Sequence, residues 1–315
     1  MPEISVVIPT HNRVRLLQSR ALPSALRQEG VDHEIIVVDD GSEDETAHVL
    51  ARLAASDARV HALHNDRPCG VAAARNVGIH VARAPWIAFL DDDDLWAPWK
   101  LAAQLEAVKR NSADWGYAGA IAVTANGEPL YEYYSPDPAL VAEQLLQSAV
   151  VPAGASNVLV RTEVVRSIGG FDERFFQIED WDLWIRLSER GVPAVVADVL
   201  VAVLVHSQNK HAVNDHAEEL CRLIFKHASR RPPRVLDVDV VGYSRWVAGQ
   251  HSRTGLHRKA AWLYARDAWR HRSPTNLLRA ADALTNKRVS ARLRRTRRGG
   301  RPPAPAPEWL QQFAA

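Results

Sequence analysis

Only two cysteines occur in the 315 residues, Cys69 and Cys221, far apart and without CxxC spacing. That excludes a disulfide framework and a cysteine-built structural zinc site, and Cys69 reads as a small buried filler. Long apolar runs are missing too. The longest, residues 192–205, is interrupted by Asp198 and falls short of the ~18 residues a membrane span needs. The start, MPEISVVIPT, enters a strand at once, with neither a basic leader nor a small-residue cleavage site. The expected location is therefore cytoplasmic. No GxGxxG follows a strand, which sets aside a dinucleotide dehydrogenase. Net charge is +2, so global charge selects no partner.

What is present suits a globular chain of one large domain and a smaller one, with 47% hydrophobic residues available for a core. The first hundred residues alternate continuous apolar runs (Ile4–Ile8, Ile35–Val38, Val60–Leu63, Trp86–Leu90) with helix-length segments (Val14–Gln28, Thr46–Ala54, Val71–Ala82). This alternation predicts a mostly parallel α/β sheet with helices on both faces. Ligands of such sheets bind beyond the carboxyl ends of the strands. Polar clusters lie there: Thr10–Arg13, Asp39–Ser42 and Asp91–Asp94.

From Asp114 to Ala194 the pattern turns α+β. Strand-like Trp115–Thr124 and Leu130–Tyr134 flank Asn126-Gly127, a hairpin signal. A short strand follows at Asn157–Val160, a helix at Trp181–Glu189 and a strand at Val199–Val205. Beyond about His211 only helical patterns recur, at Glu218–Ala228, Leu256–Arg270 and Asn276–Leu284. The expected division is a catalytic domain over 1–210, with a nucleotide half to about 110 and an acceptor half from about 111. A helical region over 211–286 and a flexible tail over 287–315 complete it.

The strongest single feature is FLDDDDLW, Phe89–Trp96. Four adjacent carboxylates repel one another and resist burial, so they call for cations or hydration. Directly after an apolar strand, they suit a hard divalent ion held through one or two oxygens, with diphosphate and water completing its shell. A second pair, Asp39-Asp40, leads into Gly41-Ser42. A carboxylate there can accept the ring N–H of a nucleobase; capping of the next helix by Ser42 or Asp44 is compatible with that. Arg75, beside Asn76 on an Ala-rich helix, either reaches a phosphate or braces the aspartates, or is an ordinary surface residue. Ala72–Ala74 read as close helix–sheet packing. Trp115, Tyr117, Tyr131, Tyr133 and Tyr134 suit either a sugar or strand-face packing.

SVVIPTHNR, IIVVDDGSEDET, Gly70 through Asn76, FLDDDDLW and GGFDERFFQIEDWDLWIRL follow one another in an order and spacing that resemble glycosyltransferase family 2. The likeness covers roughly residues 4–206. It implies a GT-A (Rossmann-like) fold and an inverting transfer of a sugar from a nucleoside-diphosphate donor. UDP is the first expectation, with dTDP and GDP as others. The acceptor implied is a glycan, a lipid-linked sugar, a peptide or a small molecule. Mn²⁺ or Mg²⁺ is the implied cofactor. By the same resemblance Pro9, Thr10, Asn12, Asp39, Asp40 and Arg75 line the nucleotide pocket. Asp91 and Asp93 form a DxD metal motif with Asp92 near the ribose, and Asp180 is the catalytic base. His206 is a further metal or diphosphate candidate, with His211 its rival. In the loop Pro152–Asn157 the small residues Gly154, Ala155 and Ser156 suit the approach of a donor sugar, and Glu179 and Trp181 are further expected neighbours of the donor sugar or acceptor. Helix packing and first-turn acids account for residues 179–185 equally.

Two rival functions stand beside this. A sugar nucleotidyltransferase would carry a Gly-rich basic loop where this chain has PTHNR, and an inactive nucleotide-sugar-binding scaffold would need no intact acid set. The run Lys287–Arg301 is almost wholly basic and precedes PPAPAP. It suits peripheral contact with an anionic membrane face, or is a solvated helix end entering a tail. No interleaved aromatics or recognisable module point to nucleic acid.

Overall fold

The computed structural model describes residues 1–206, 217–230, 235–253, 255–284 and 306–313. It divides into two compact units, one of residues 1–204 with 305–315 and one of residues 205–304.

In the first unit β1 (Ile4–Thr10) and β2 (His33–Asp39) are buried along their whole length. That is what continuous apolar runs require when helices cover both faces of a sheet. Between them runs α1 (residues 14–26), interrupted by a π-helical turn at Leu17–Ala21. Then come α2 (Thr46–Ser56), β3 (Val60–His64), α3 (Val71–Val81), β4 (Trp86–Phe89), β5 (Leu95–Trp96) and α4 (Lys100–Arg110). After these follow β6 (Trp115–Val123), β7 (Pro129–Glu132), β8 (Leu159–Arg161), α5 (Thr162–Ser167), α6 (Glu179–Ser188) and β9 (Ala194–Leu204).

The sheet runs β3-β2-β1-β4-β8-β6-β9-β5, with β7 on β6. Strands β3, β2, β1 and β4 are parallel, as expected, so the ends of β1, β2 and β4 meet on one edge. Beyond β4 the sheet is mixed, because β8 runs antiparallel to both β4 and β6. Asn157 prepares that entry. Its amide donates to Ala118 O at 2.6 Å and its carbonyl accepts from Ala118 N at 2.8 Å, continuing a ladder ahead of the strand itself. Helix α3 lies close on β1: a Cβ at Gly78 would sit 2.3 Å from Val7 Cγ1. Of the three alanines expected to pack there, Ala72 and Ala74 are buried and Ala73 is only half-buried.

Residues 306–313, expected within a flexible tail, instead join the first unit. Trp309 and Leu310 are buried against Leu95, Ala97, Ile121 and Leu200, and Trp309 Nε1 donates to Val199 O at 3.0 Å. Two large apolar side chains within eight residues give this segment an anchor that its Pro/Ala composition concealed.

The second unit contains α7 (Ala217–Ala228), α8 (Val240–Arg253), α9 (His257–His271) and α10 (Pro274–Leu284). Helix α8 was not anticipated, since its Val-rich start and Gly242 speak against a helix. Asp239 compensates: its Oδ1 accepts from Gly242 N at 2.7 Å, as an N-cap does. Among the described residues no helix is long and apolar enough to cross a membrane.

Candidate active site

The register Thr10↔Asp39 and Val7↔Phe89 puts the ends of β1, β2 and β4 side by side. Asn12, in the turn after β1, holds a left-handed conformation (φ 54°) and fastens that turn to the next one. Its backbone N–H donates to Ser42 Oγ at 2.8 Å and its Oδ1 accepts from Glu43 N at 2.7 Å. Asp39 is buried at the end of β2 and accepts from Ser42 N at 3.1 Å, with His64 Nδ1 3.0 Å from its other oxygen. Each oxygen keeps a second lone pair for a further donor.

Asp40 was expected to touch the nucleotide, but its carboxylate is committed elsewhere. It accepts from Asn65 Nδ2 (2.8 Å), Cys69 N (2.9 Å) and Gly70 N (2.7 Å), tying the 65–70 loop to β2. Asp40 therefore anchors that loop. Cys69, expected as buried filler, is exposed, because the loop turns its backbone inward to Asp40.

The four aspartates do not lie in solvent. Asp92, Asp93 and Asp94 are buried, and Asp91 is the more open one, its side chain 37% exposed. Positive and neutral donors make this tolerable. Arg13 Nη1 lies 3.2 Å from Asp92 and 3.1 Å from Asp93, and Thr10 Oγ1 donates to Asp92 at 2.8 Å. Burial, and then the charge of Asp93, pushes the Asp92 carboxyl up to about 7 against the pull of Arg13. Burial, with Asp93 and Asp91 adding to it, also raises Asp94 well above the usual carboxylate range. Asp94 accepts from Ser156 Oγ at 2.6 Å and from Leu204 N at 3.2 Å. Arg13 was missed as a site residue in the sequence. It stands 80 positions from Asp93, and only the adjacency of β1 and β4 brings the two together.

On the other side of Asp91 stands Arg75, buried in α3. Its two terminal nitrogens bind Asp91 Oδ1 at 2.5 Å and Glu179 Oε1 at 2.9 Å, and its guanidinium lies 5.1 Å from the Phe171 ring centroid. The bracing role is the one the geometry takes. Next to it, Asn76 exchanges hydrogen bonds with Phe171 N (2.8 Å) and Phe171 O (2.9 Å), locking the loop that leads into α6.

Helix α6 opens with Glu179, Asp180 and Asp182. Asp182 is spent on Arg186 at 2.7 Å inside the core, and so is structural. Asp180 is partly open and one of its oxygens accepts from Trp181 N at 2.7 Å. The other faces Gly154, where a Cβ would come within 2.7 Å of it. Gly154 has φ 53°, a left-handed conformation that favours glycine twice over.

Two residues expected at the sugar are enclosed. Ser156 is fully buried; its hydroxyl accepts from Asp91 N at 3.0 Å and donates to Asp94, fixing both ends of the acidic turn. Trp181 is also fully buried, its Nε1 donating to Leu145 O at 2.7 Å, because its side chain points into the apolar face of α6. Trp115 and Tyr117 likewise belong to the core, and Trp115 stacks on Trp184 with centroids 6.3 Å apart. Pro9 is buried within β1, paired with Val38. His206 lies two residues past β9, at the start of the second unit, and His211 falls outside the described residues.

Among the described residues no three His, Cys, Asp or Glu side chains converge as a metal cage. A hard cation shared with phosphate oxygens needs only one or two carboxylates. Asp91 and Asp93 lie on one turn, each paired with a guanidinium, Arg75 for the first and Arg13 for the second.

The sequence profile of Glycosyl transferase family 2 matches residues 5–168, and the chain belongs to that family. It is a glycosyltransferase. Putative teichuronic acid biosynthesis glycosyltransferase TuaG of Bacillus subtilis is 29% identical over 193 residues, spanning 61% of this chain and 75% of that one. The Escherichia coli protein WfgD, a UDP-Glc:alpha-D-GlcNAc-diphosphoundecaprenol beta-1,3-glucosyltransferase, is 28% identical over 68% of this chain and 81% of its own. Among solved structures, S. aureus TarS 1-349 in complex with UDP-GlcNAc shares the fold with a TM-score of 0.59 at 17% identity, covering 93% of this chain and 92% of that one. Mannosyltransferase PcManGT from Pyrobaculum calidifontis, in complex with GDP-Man and Mn2+, gives 0.54 at 18% identity over 94% and 79%. The fold is GT-A.

Proposed function

We propose that this chain is a metal-dependent inverting glycosyltransferase that takes a sugar from a nucleoside diphosphate, UDP first, with Asp180 as the base. The observation that carries this reading is the chain of contacts Asp91–Arg75–Glu179, which ends one residue from Asp180 and the Gly154 backbone. It joins an acidic turn suited to a diphosphate with a carboxylate suited to an acceptor. TarS with UDP-GlcNAc and WfgD with its UDP-Glc donor support uridine, and PcManGT with Mn2+ supports a divalent ion.

Asp39 accepts the ring N–H of the base, between the Thr10–Asn12 turn and the 65–70 loop that Asp40 holds. Asp92 faces the ribose. Asp93 and Asp91 would hold Mn²⁺ or Mg²⁺, which would offset the negative charge gathering on the diphosphate. Arg75 keeps Asp91 in place and adds fixed positive charge there. Asp180 takes the acceptor proton as the acceptor oxygen attacks the anomeric carbon and the bond to the diphosphate oxygen breaks. A single displacement of this kind inverts the anomeric centre and needs no second nucleophile. Gly154 leaves room beside the Asp180 oxygen for the acceptor hydroxyl. The acceptor is a glycan, a lipid-linked sugar, a peptide or a small molecule; WfgD, by its name, uses a lipid-diphosphate sugar.

The test is Asp180→Asn, assayed for UDP-sugar turnover and for UDP-sugar affinity with Mn²⁺. Turnover should drop by ~10²–10⁴-fold while affinity stays near that of the parent chain. An Asp180→Asn protein of undiminished turnover removes that residue from the role. Pyrophosphate release from a nucleoside triphosphate and a sugar 1-phosphate would instead favour a nucleotidyltransferase. Affinity without any turnover, in the parent chain itself, would favour a binding scaffold.

A further inference from the structure

The net charge of +2 conceals a strong imbalance. Residues 205–304, the second unit, contain 22 Lys and Arg against 7 Asp and Glu, a formal +15. The remainder of the chain contains 17 against 30, a formal −13. A unit so basic inside a nearly neutral protein points to a polyanionic partner.

Helices α9 and α10 add a second, independent feature. Each packs through small residues and turns large apolar ones outward. Helix α9 buries Ala260, Ala261 and Ala268, yet Trp262 is 60% exposed and Trp269 88% exposed. Seven residues apart, these two tryptophans fall on one helical stripe. Arg258 and Arg266, each four residues from Trp262, lie on the same side, and Arg266 sits 5.1 Å from the Trp262 ring centroid. Helix α10 repeats the inversion: it buries Asn276, Ala280 and Ala283, while Leu277, Leu278 and Leu284 are at least half exposed. Over residues 257–284 six Lys and Arg oppose two acids, and one of those, Asp267, is buried.

Exposed tryptophan beside arginine is costly in water, but it is the composition of the zone between lipid headgroups and acyl chains. There the indole ring is partly desolvated and the guanidinium reaches phosphate. A free polyanion such as nucleic acid would use the charge and leave the leucines of α10 in water. We propose that α9 and α10 form a docking face for the interfacial layer of an anionic phospholipid bilayer, with Trp262, Trp269, Leu277 and Leu284 entering it and the flanking arginines on headgroups. This goes beyond the transfer reaction and does not depend on the roles assigned to the aspartates.

The experiment is flotation of the full chain with vesicles of phosphatidylcholine alone and of phosphatidylcholine mixed with phosphatidylglycerol. The parent chain should float with the mixed vesicles, not with the neutral ones, and less as salt rises. Trp262→Ser/Trp269→Ser should weaken partition about tenfold or more, given the area two indoles remove from water. Neutralising Arg258 or Lys259 should cost about fivefold each. Hydrolysis of UDP-sugar by these variants should match the parent, which excludes misfolding. Equal flotation with both vesicle types overturns the proposal, and so does undiminished binding by the tryptophan variant. It also falls if replacing the arginines between residues 288 and 301 by glutamine abolishes binding that the tryptophan variant retains, since the contact then belongs to the basic run. Duplex DNA binding without vesicle binding overturns it as well.

Discussion

Gly154→Ala offers the sharpest probe of the proposed base. The new Cβ would stand 2.7 Å from Asp180 Oδ2, well inside van der Waals contact, on a backbone at φ 53°. The atom it meets is the end of a short side chain, so the fold survives and Asp180 swings away. The left-handed backbone itself costs about 1–2 kcal/mol of stability in a non-glycine residue, readable as a lowered denaturation midpoint. Catalysis should suffer more. Displacing a reacting group by roughly 1 Å costs about 10²-fold, so turnover of UDP-sugar should fall by about that factor with donor affinity unchanged. The decisive arm is the double variant. If Gly154 acts only through the Asp180 carboxylate, Gly154→Ala adds nothing once Asp180→Asn is present, and the two effects are strongly non-additive. Two losses that simply multiply in the double variant would refute the reasoning and give Gly154 a role of its own.

Metal dependence is read by thermal shift: Mn²⁺ should enlarge the stabilisation that UDP gives the parent chain, by mass action, and Asp93→Asn should abolish that increment. An identical UDP shift in chelator and in Mn²⁺ would contradict the assignment. Arg13→Gln removes the cation balancing Asp92 and Asp93. The donor-free chain should lose about 1 kcal/mol, and Mn²⁺ alone should restore more in the variant than in the parent, because no guanidinium then competes for the same oxygens. Lys100 is fully buried, its Nζ 3.8 Å from the Trp96 ring centroid, and burial holds its pKa well below the usual lysine value. A depressed folded pKa means that its share of stability is complete only above the unfolded value of about 10.4 and is lost as pH falls through the folded one. Lys100→Met should thus be more stable than the parent at neutral pH by about 1–3 kcal/mol. That gap should close as pH rises above about 10; a constant gap across that range would assign the gain to packing.

Much of the fold was legible because its signals are local. The apolar runs at Ile4–Ile8 and Ile35–Val38 became β1 and β2, and Asn126-Gly127 turned the β6–β7 hairpin. Other signals were not local. The packing of Trp309 needs a groove built by residues one to two hundred positions earlier, while helix α8, although capped locally by Asp239, was masked by poor intrinsic propensity. At the site, the motifs located the acids but not their partners. Nothing in DDGS says that Asp40 will be consumed by the 65–70 loop, and nothing in PAGAS says that Ser156 will hold the acidic turn from within. Which carboxylates stay open is settled by contacts between segments 30 to 104 residues apart.

The aspartate run also shows why burial and function are compatible here. Three of its four carboxyls are removed from water, a cost that no helix dipole could offset. The chain meets that cost in two ways that differ in reversibility. Asp94 is held by a hydroxyl and a backbone N–H, which a ligand cannot displace, so its place is structural. Asp92 and Asp93 share Arg13, a charged partner whose side chain is a quarter exposed, so a cation bound in the proposed way would take over its balancing charge. Arg75 belongs to the first kind, buried and forked between Asp91 and Glu179. It stays in place while the charge around it changes. The acidic turn is thus rigid at its outer members and exchangeable at its centre, the property a site needs if it must accept a charged donor and release a more highly charged product.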